Sequence, residues 1–253
     1  MGIWSDIKDA AKKVVRVVKG AVRVAVKFGF LFVGWAFNIW DLLFGFLNWP
    51  PKKLTLHIVI LQKMTETDPT IVDICKPSEL QPSIDQAERI LRERFNVRLR
   101  PYAPQYAQVL VGLPPEAALN PSCCDLDALG QEFLEQGEWY AGHTAGWVAS
   151  IPTSVQFPIT AFVVNDVQCK NGCSIGPLSD YIVMDRDGVF EMGARLNNSL
   201  LMHEIGHCCN LFHPLYDPLS SITYLMFAGR DRGDDTHWWQ RNLFRSSRHV
   251  TYW

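Results

Sequence analysis

The sequence has little net charge and no internal repeat. Its 24 Lys and Arg residues nearly balance 26 Asp and Glu residues, which leaves a formal net charge of −2. This balance gives no overall reason to expect a polyanionic partner, so we expect no nucleic-acid partner. A hydrophobic share of 48% with 20% charged residues excludes a disordered or collagen-like chain. The 253 residues are therefore expected to fold around a core, as one or two domains.

The seven cysteines include no pair at Cys-x-x-Cys spacing. Cys169 and Cys173 close a loop short enough for a local disulfide, and the pair 208–209 could be tied to the pair 123–124. Alternatively, Cys169 and Cys173 hold a second metal ion. Because Cys-x-x-Cys pairs are absent, the pattern favours disulfide bonds and an oxidising compartment over a second zinc site.

The near-zero net charge hides an uneven distribution. Residues 1–27 carry seven basic and two acidic residues, a net charge of +5, and the remaining chain carries −7. Apolar residues recur here at steps of three and four, with basic residues on another face, which predicts an amphipathic helix capped by Ser5 or Asp6. Its many valines lower helix propensity, so we expect an apolar partner or a membrane surface to stabilise it.

A second, strongly apolar helix is predicted over Phe28–Trp49, a length that can cross a bilayer. Its interruptions fall at steps of four and three and so form one polar stripe: Gly34, Asn38, Asp41, Gly45 and Asn48. We expect such a stripe to pack against another helix. The basic face of the first helix is then the candidate partner of Asp41.

Residues 1–49 allow more than one interpretation. A cleavable signal peptide is disfavoured, because the charged and apolar regions are too long, the apolar region contains Asp41 and no small-residue cleavage site follows. An uncleaved signal anchor or a membrane-inserted hairpin is favoured over packing on the protein body or self-association. The excess of basic residues before the apolar span favours a membrane-associated protein whose remaining chain is extracytoplasmic or secreted.

The segment 50–53, Pro-Pro-Lys-Lys, is predicted to be a linker, because consecutive prolines end a helix. Residues 54–253 then form a second domain. Its patterns predict strands and helices in alternation, with strands at 54–61, 97–100, 159–165 and 181–185 and helices at 83–95, 125–140, 199–209 and 234–245. The dipeptide at 187–188, Asp-Gly, predicts a turn. The expected fold class is α+β, with layers of helices on a twisted mixed sheet of four to five strands.

The most informative residues lie at 203–213. His203 and His207 are four residues apart, so a helix presents both imidazoles on one side, at a separation that one tetrahedral ion can bridge. Glu204 lies beside them, where it can take a proton from a water molecule on the metal. His213 can join them only if the helix stops and the chain turns back. Asn210 is one of the few residues other than glycine that accept the left-handed conformation this stop requires.

This segment resembles the signature of the metzincin clan of zinc metallopeptidases, His-Glu-x-x-His-x-x-Gly-x-x-His, with Asn210 in place of the glycine. Tyr224–Phe227 looks like the methionine turn of that clan. The resemblance implies that Met226 forms an apolar floor beneath the metal ligands, that the cofactor is Zn²⁺, and that residues 54–253 have a metzincin-like fold. It also implies that a peptide substrate lies antiparallel to an edge strand between Val167 and Asp180.

The sequence thus predicts a membrane-associated zinc endopeptidase, in which His203, His207 and His213 bind zinc and Glu204 is the general base. Its partners are then a peptide or protein substrate and, through residues 1–49, a membrane or another helix. Two alternatives stay open. The N-terminal helices are the functional part of a membrane-permeabilising or secreted toxin-like protein, or the metal site hydrolyses a non-protein amide.

Overall fold

The computed structural model describes residues 3–65, 69–122, 133–145, 157–168, 170–174, 176–193, 200–213, 221–227 and 232–252. Within these ranges the chain forms an α+β structure built on a mixed, mostly parallel sheet. The predicted fold class is therefore confirmed at the level of α+β.

The N-terminal segment forms one long helix followed by a short one. The predicted cationic helix continues without a break into the first part of the predicted apolar helix. Helix α1 spans Ile3–Phe37, and after a break at Asn38 helix α2 spans Ile39–Phe44 and runs into a 3₁₀ turn at Gly45–Leu47. The two parts meet at an angle of 66°. Among the described helices, none is by itself long and apolar enough to cross a membrane, and this bent pair meets that criterion of length and composition only together.

The sheet is centred on β1, Lys52–Ile60, which is flanked by parallel strands β4, Val97–Pro101, and β6, Ile159–Val164. Strand β8, Tyr181–Asp185, continues the sheet parallel to β6. The antiparallel strand β7, Gly172–Ser174, forms the edge next to β8. Strand β1 begins at Lys52, so the last two residues of the predicted linker belong to the sheet.

Shorter strands account for the difference between the predicted and the observed strand number. Strands β5, Ala107–Val109, and β9, Val250–Thr251, both pair with β1, which gives seven described strands in the main sheet rather than four or five. A separate two-stranded sheet joins β2, Gln62–Met64, to β3, Ile71–Asp73. Strands of two or three residues are too short for an alternating pattern to be visible in the sequence.

The remaining helices are α3 Gln81–Phe95, α4 Glu116–Leu119, α5 Glu135–His143, α6 Arg186–Gly193, α7 Leu200–Cys208 and α8 Trp238–Arg245. Much of the helix predicted over 125–140 lies outside the described residues. The turn predicted at 187–188 was wrong, because this dipeptide lies in the first turn of α6. The Asp185 carboxylate accepts a hydrogen bond from the Gly188 amide at 2.7 Å, which caps the start of α6 directly after the end of β8.

Apolar faces of strands and helices meet in one core. All six residues of β6 are buried, as expected for a central strand covered on both faces. Helix α3 buries the residues that its periodicity predicts, Ile84, Ala87, Ile90, Leu91 and Phe95. It packs against α7, and this contact helps to fix the helix that carries the predicted metal ligands.

The polar stripe of the N-terminal segment faces the body of the protein. The buried Asp41 carboxylate accepts hydrogen bonds at 2.9 Å from Lys52 Nζ and at 2.9 Å from Arg245 Nε. A third hydrogen bond comes from the hydroxyl of Tyr252. The sequence-based expectation that the basic face of α1 would pair with Asp41 was therefore wrong, because β1 and the C-terminal segment supply these cations.

The cysteines do not follow the predicted pairing. Cys75, Cys208 and Cys209 are free and buried thiols, so the proposed tie from 208–209 to 123–124 was wrong. Burial raises the pKa of the Cys208 thiol to about 12, which keeps it protonated and unreactive at neutral pH. Cys173 is disulfide-bonded. The residues at 123, 124 and 169, and with them the predicted local bond to Cys173, lie outside the described part of the chain.

Candidate metal centre

Helix α7 carries three of the four residues predicted to perform chemistry. His203, Glu204 and His207 lie within Leu200–Cys208, and all residues of this helix except His207 are buried. A helix that is apolar around most of its surface must lie inside the protein. The core therefore surrounds α7, and its functional side chains have a fixed position.

A left-handed residue ends the helix and reverses the chain. Asn210 has φ of 68°, and the Leu211 amide donates a hydrogen bond to the Gly206 carbonyl at 2.9 Å. This bond, which spans five residues across a left-handed position, is the hydrogen bond of a Schellman motif. The Asn210 side chain also donates to the Leu243 carbonyl at 3.1 Å, so the turn is attached to α8.

The turn brings His213 to the two helical histidines, as predicted. Its Nε2 lies 3.1 Å from His203 Nε2 and 3.1 Å from His207 Nε2. Two nitrogens bound to one tetrahedral zinc ion at about 2.0–2.1 Å lie about 3.4 Å apart. The three side chains thus form a cluster that can hold a metal ion, with all ligand atoms within 4.8 Å of one another.

Backbone carbonyls orient two of the rings. His203 Nδ1 lies 2.9 Å from the Leu225 carbonyl, and His207 Nδ1 lies 3.0 Å from the Leu211 carbonyl. A carbonyl only accepts, so in each ring Nδ1 carries the proton and Nε2 presents a lone pair. Each of these two rings therefore presents its Nε2 lone pair toward His213, in the orientation that a metal ligand requires.

The surroundings of the three histidines favour neutral rings. Burial lowers the pKa of His203 well below its usual value and lowers the pKa of His207 to about 4. Burial also lowers the pKa of His213. The positive charge of Arg232 lowers all three pKa values further. Because a metal ion binds the neutral imidazole, protons compete with it only at acidic pH.

Glu204 is buried beside this cluster. Burial raises the pKa of its carboxyl to about 7, and the charges of Arg232 and Lys170 oppose this effect. A carboxyl with a pKa near neutrality can both accept and return a proton at physiological pH. Glu204 therefore has the properties of a general base.

Met226 lies directly beneath α7. Its side chain is fully buried, and a Cβ added at Gly206 would lie 2.7 Å from Met226 Sδ. The preceding carbonyl, that of Leu225, holds the His203 ring. Leu225 therefore orients one ligand ring, and Met226 packs against α7 between the two helical histidines. The resemblance to metzincins implies such a position for Met226.

The edge strand β7 borders the site next to Glu204. A Cβ at Gly172 would lie 2.9 Å from Glu204 Oε1, so only glycine lets the strand approach the carboxylate this closely. Strand β7 lies within the interval 167–180 in which an edge strand was predicted. Among the described strands, only β8 pairs with β7.

Arg232 is the residue that sequence reasoning missed. Its side chain is buried, and its charge acts on all three histidines and on Glu204. Arg232 lies in the charged stretch 230–235, which has no recognisable motif or periodicity. Only its short distance from Met226 in the sequence could have suggested that it lies near the metal centre.

Comparison with known proteins adds no assignment to this geometry. No protein-family model matches the chain, and no curated protein matches it.

Proposed function

We propose that the protein is a zinc-dependent endopeptidase, in which His203, His207 and His213 hold the ion and Glu204 is the general base. The observation that carries this proposal is the convergence of three Nε2 atoms, with separations of 3.1 Å to His213, beside a buried carboxyl. Three neutral imidazoles would leave a bound Zn²⁺ ion its full charge, and the ion would supply Lewis-acid chemistry and a water molecule with a pKa lowered to about 7.

The residues of the chain perform the proton transfers. Glu204, whose pKa is raised by burial to about 7, accepts a proton from the attacking water and returns it to the departing amine. Leu211 and Leu225 hold two ligand rings through their carbonyls, so that the donor atoms need little rearrangement to bind the ion. Met226 and Gly206 pack below the ligands and exclude water from that side.

The edge strand favours a peptide over a non-protein amide as the substrate. An extended peptide can pair through backbone hydrogen bonds with the edge of β7 that no other described strand occupies, and Gly172 of β7 lies against Glu204. A peptide added there would pass beside the proposed base. A compact non-protein amide would gain nothing from an open strand edge.

Metal analysis combined with cleavage profiling tests the proposal. We expect one zinc ion per purified chain and cleavage within peptides of a diverse library, lost with a chelator and restored by Zn²⁺. His207→Ala should lose both zinc and cleavage, whereas His143→Ala, at an exposed position on α5, should keep both. Cleavage that survives complete metal removal, or a protein that does not retain zinc, would refute the proposal.

A further inference from the structure

The N-terminal helices bury their small and polar residues, which a surface helix of a soluble protein normally exposes. Between residues 8 and 47 the buried positions follow one another at steps of three or four and so share one face across the bend. Only one of them is a large apolar residue, and the full set is Gly20, Arg23, Lys27, Leu31, Gly34, Asn38, Asp41 and Gly45. We call this set the docked face.

The body of the protein fills the docked face closely. A Cβ at Gly34 would lie 2.7 Å from Arg248 Cβ, and a Cβ at Gly45 would lie 2.8 Å from Asn242 Cα. Asp41 adds buried ion pairs to the body at 2.9 Å, with Lys52 and Arg245. The small and polar residues of α1 and α2 are therefore used for close contact with the body, and this face is not free for another partner.

The opposite side is an uninterrupted apolar surface. Every exposed residue from Ala21 to Leu47 is apolar or glycine, and we call these residues the outer face. Phe32 and Phe37 are each 63% exposed, and Trp40 is 69% exposed. A surface helix of a soluble protein places its apolar stripe toward the core. Here the arrangement is reversed, and a continuous exposed patch of this size marks an interaction surface.

Two features on the same segment identify the partner as a lipid bilayer. The exposed lysines Lys8, Lys12 and Lys13 precede the outer face on α1, and their charge complements anionic lipid headgroups. Trp40 and Trp49 are exposed near its other end, and tryptophan is enriched at the level of the headgroups. The docked face places the body on the side away from the apolar surface, as a helix lying in the membrane plane requires.

We propose that the outer face inserts into the interface of an anionic bilayer, with α1 and α2 in the membrane plane and the body docked above them. The segment then anchors the protein without crossing the bilayer. A spanning helix would have lipid around it, whereas here the body of the protein covers the docked face of α1 and α2. This inference does not depend on the catalytic proposal. Glu204→Gln should bind vesicles like the wild-type protein.

Flotation of the full-length protein with lipid vesicles tests the inference. We expect binding to phosphatidylcholine vesicles that contain phosphatidylglycerol, and weaker binding to phosphatidylcholine alone. The double variant Phe32→Ser/Phe37→Ser should reduce binding at least about tenfold, because each buried phenylalanine contributes a large part of the partitioning. The matched control Met64→Ser/Val111→Ser changes two exposed apolar residues elsewhere, 51% and 87% exposed, and should bind normally.

Two further measurements separate the bilayer from a second copy of the chain. Replacement of Lys8, Lys12 and Lys13 by glutamine should remove the preference for anionic vesicles. Acyl-chain-brominated lipids should quench tryptophan fluorescence in the wild-type protein, and less so in Trp40→Phe. The inference would be overturned if the protein neither floated with vesicles nor showed quenching. A dimer in sedimentation that the variant Phe32→Ser/Phe37→Ser dissociates would then assign the outer face to self-association.

Discussion

The Nε2 atoms of His203 and His213 lie 3.1 Å apart, although ten residues separate them and only His203 belongs to α7. The left-handed conformation of Asn210 makes this contact possible, because it ends the helix and reverses the chain. The metal centre therefore depends on one backbone conformation as much as on its three imidazoles.

Replacements of Asn210 test that dependence. Asn210→Ala should lower the free energy of unfolding by about 1–2 kcal/mol, since alanine is strained in the left-handed region, and it should weaken zinc retention. Asn210→Gly should be close to neutral, because glycine adopts a φ of 68° without strain and this gain offsets the lost hydrogen bond to Leu243. Chemical denaturation and zinc titration measure both effects. Equal behaviour of the two variants would contradict the assigned role.

Glu204→Gln separates proton transfer from metal binding. The amide keeps the size of the side chain but cannot accept the proton, so kcat/KM for peptide cleavage should fall by about 10²–10⁴-fold. Zinc content should stay unchanged, because Glu204 is outside the cluster of ligand atoms. Glu93→Gln, on the partly exposed surface pair with Arg89, is the control and should cleave normally. A Glu204→Gln protein with full activity would rule out this residue as the base.

Asp41→Asn tests the attachment of the N-terminal helices. The substitution leaves the fully buried cations of Lys52 and Arg245 without their counter-ion, so the free energy of unfolding should fall by about 3–5 kcal/mol. Asp9→Asn, which removes a solvent-exposed pair with Lys12, should have no measurable effect. Urea denaturation followed by circular dichroism provides the comparison. Similar stabilities of the two variants would show that the buried pairs do not hold the segment.

The metal-free protein should lose stability as the pH falls. Burial lowers the pKa of His207 to about 4 and that of His249 to about 4, whereas the same groups in the unfolded chain titrate near 6.5. Between about pH 6.5 and pH 4 these histidines bind more protons in the unfolded chain. The raised pKa of Glu204, about 7, opposes this through one group only, so the free energy of unfolding still decreases, by on the order of a few kcal/mol.

Denaturation of the chelated protein at a series of pH values measures this slope. His207→Gln should make the dependence of the free energy of unfolding on pH less steep, because it removes one group whose pKa differs between the folded and the unfolded chain. His143→Gln, at an exposed position on α5, should leave the slope unchanged. A wild-type protein whose stability does not change between pH 6.5 and pH 4 would contradict the prediction.

Much of the metal centre could be predicted because its rules are local. The spacing of His203 and His207 places both rings on one helical face wherever the helix lies, and Asn210 indicates the turn by its own conformational preference. The carbonyls of Leu211 and Leu225 could not be predicted, since any residue carries the same carbonyl. Arg232 was missed for a related reason: nothing in the charged stretch 230–235 distinguishes this residue from its charged neighbours, and only the fold brings it near the cluster.

The N-terminal segment shows where sequence information ends. Periodicity by itself determined that the interruptions from Gly34 to Asn48 share one face, and that the remaining surface is apolar. Only the tertiary structure decided that this polar face docks on the body, with Lys52 and Arg245 as the partners of Asp41. The physical reason is that spacing along a helix fixes which side chains lie together, whereas the partner of that face depends on contacts between residues far apart in the chain.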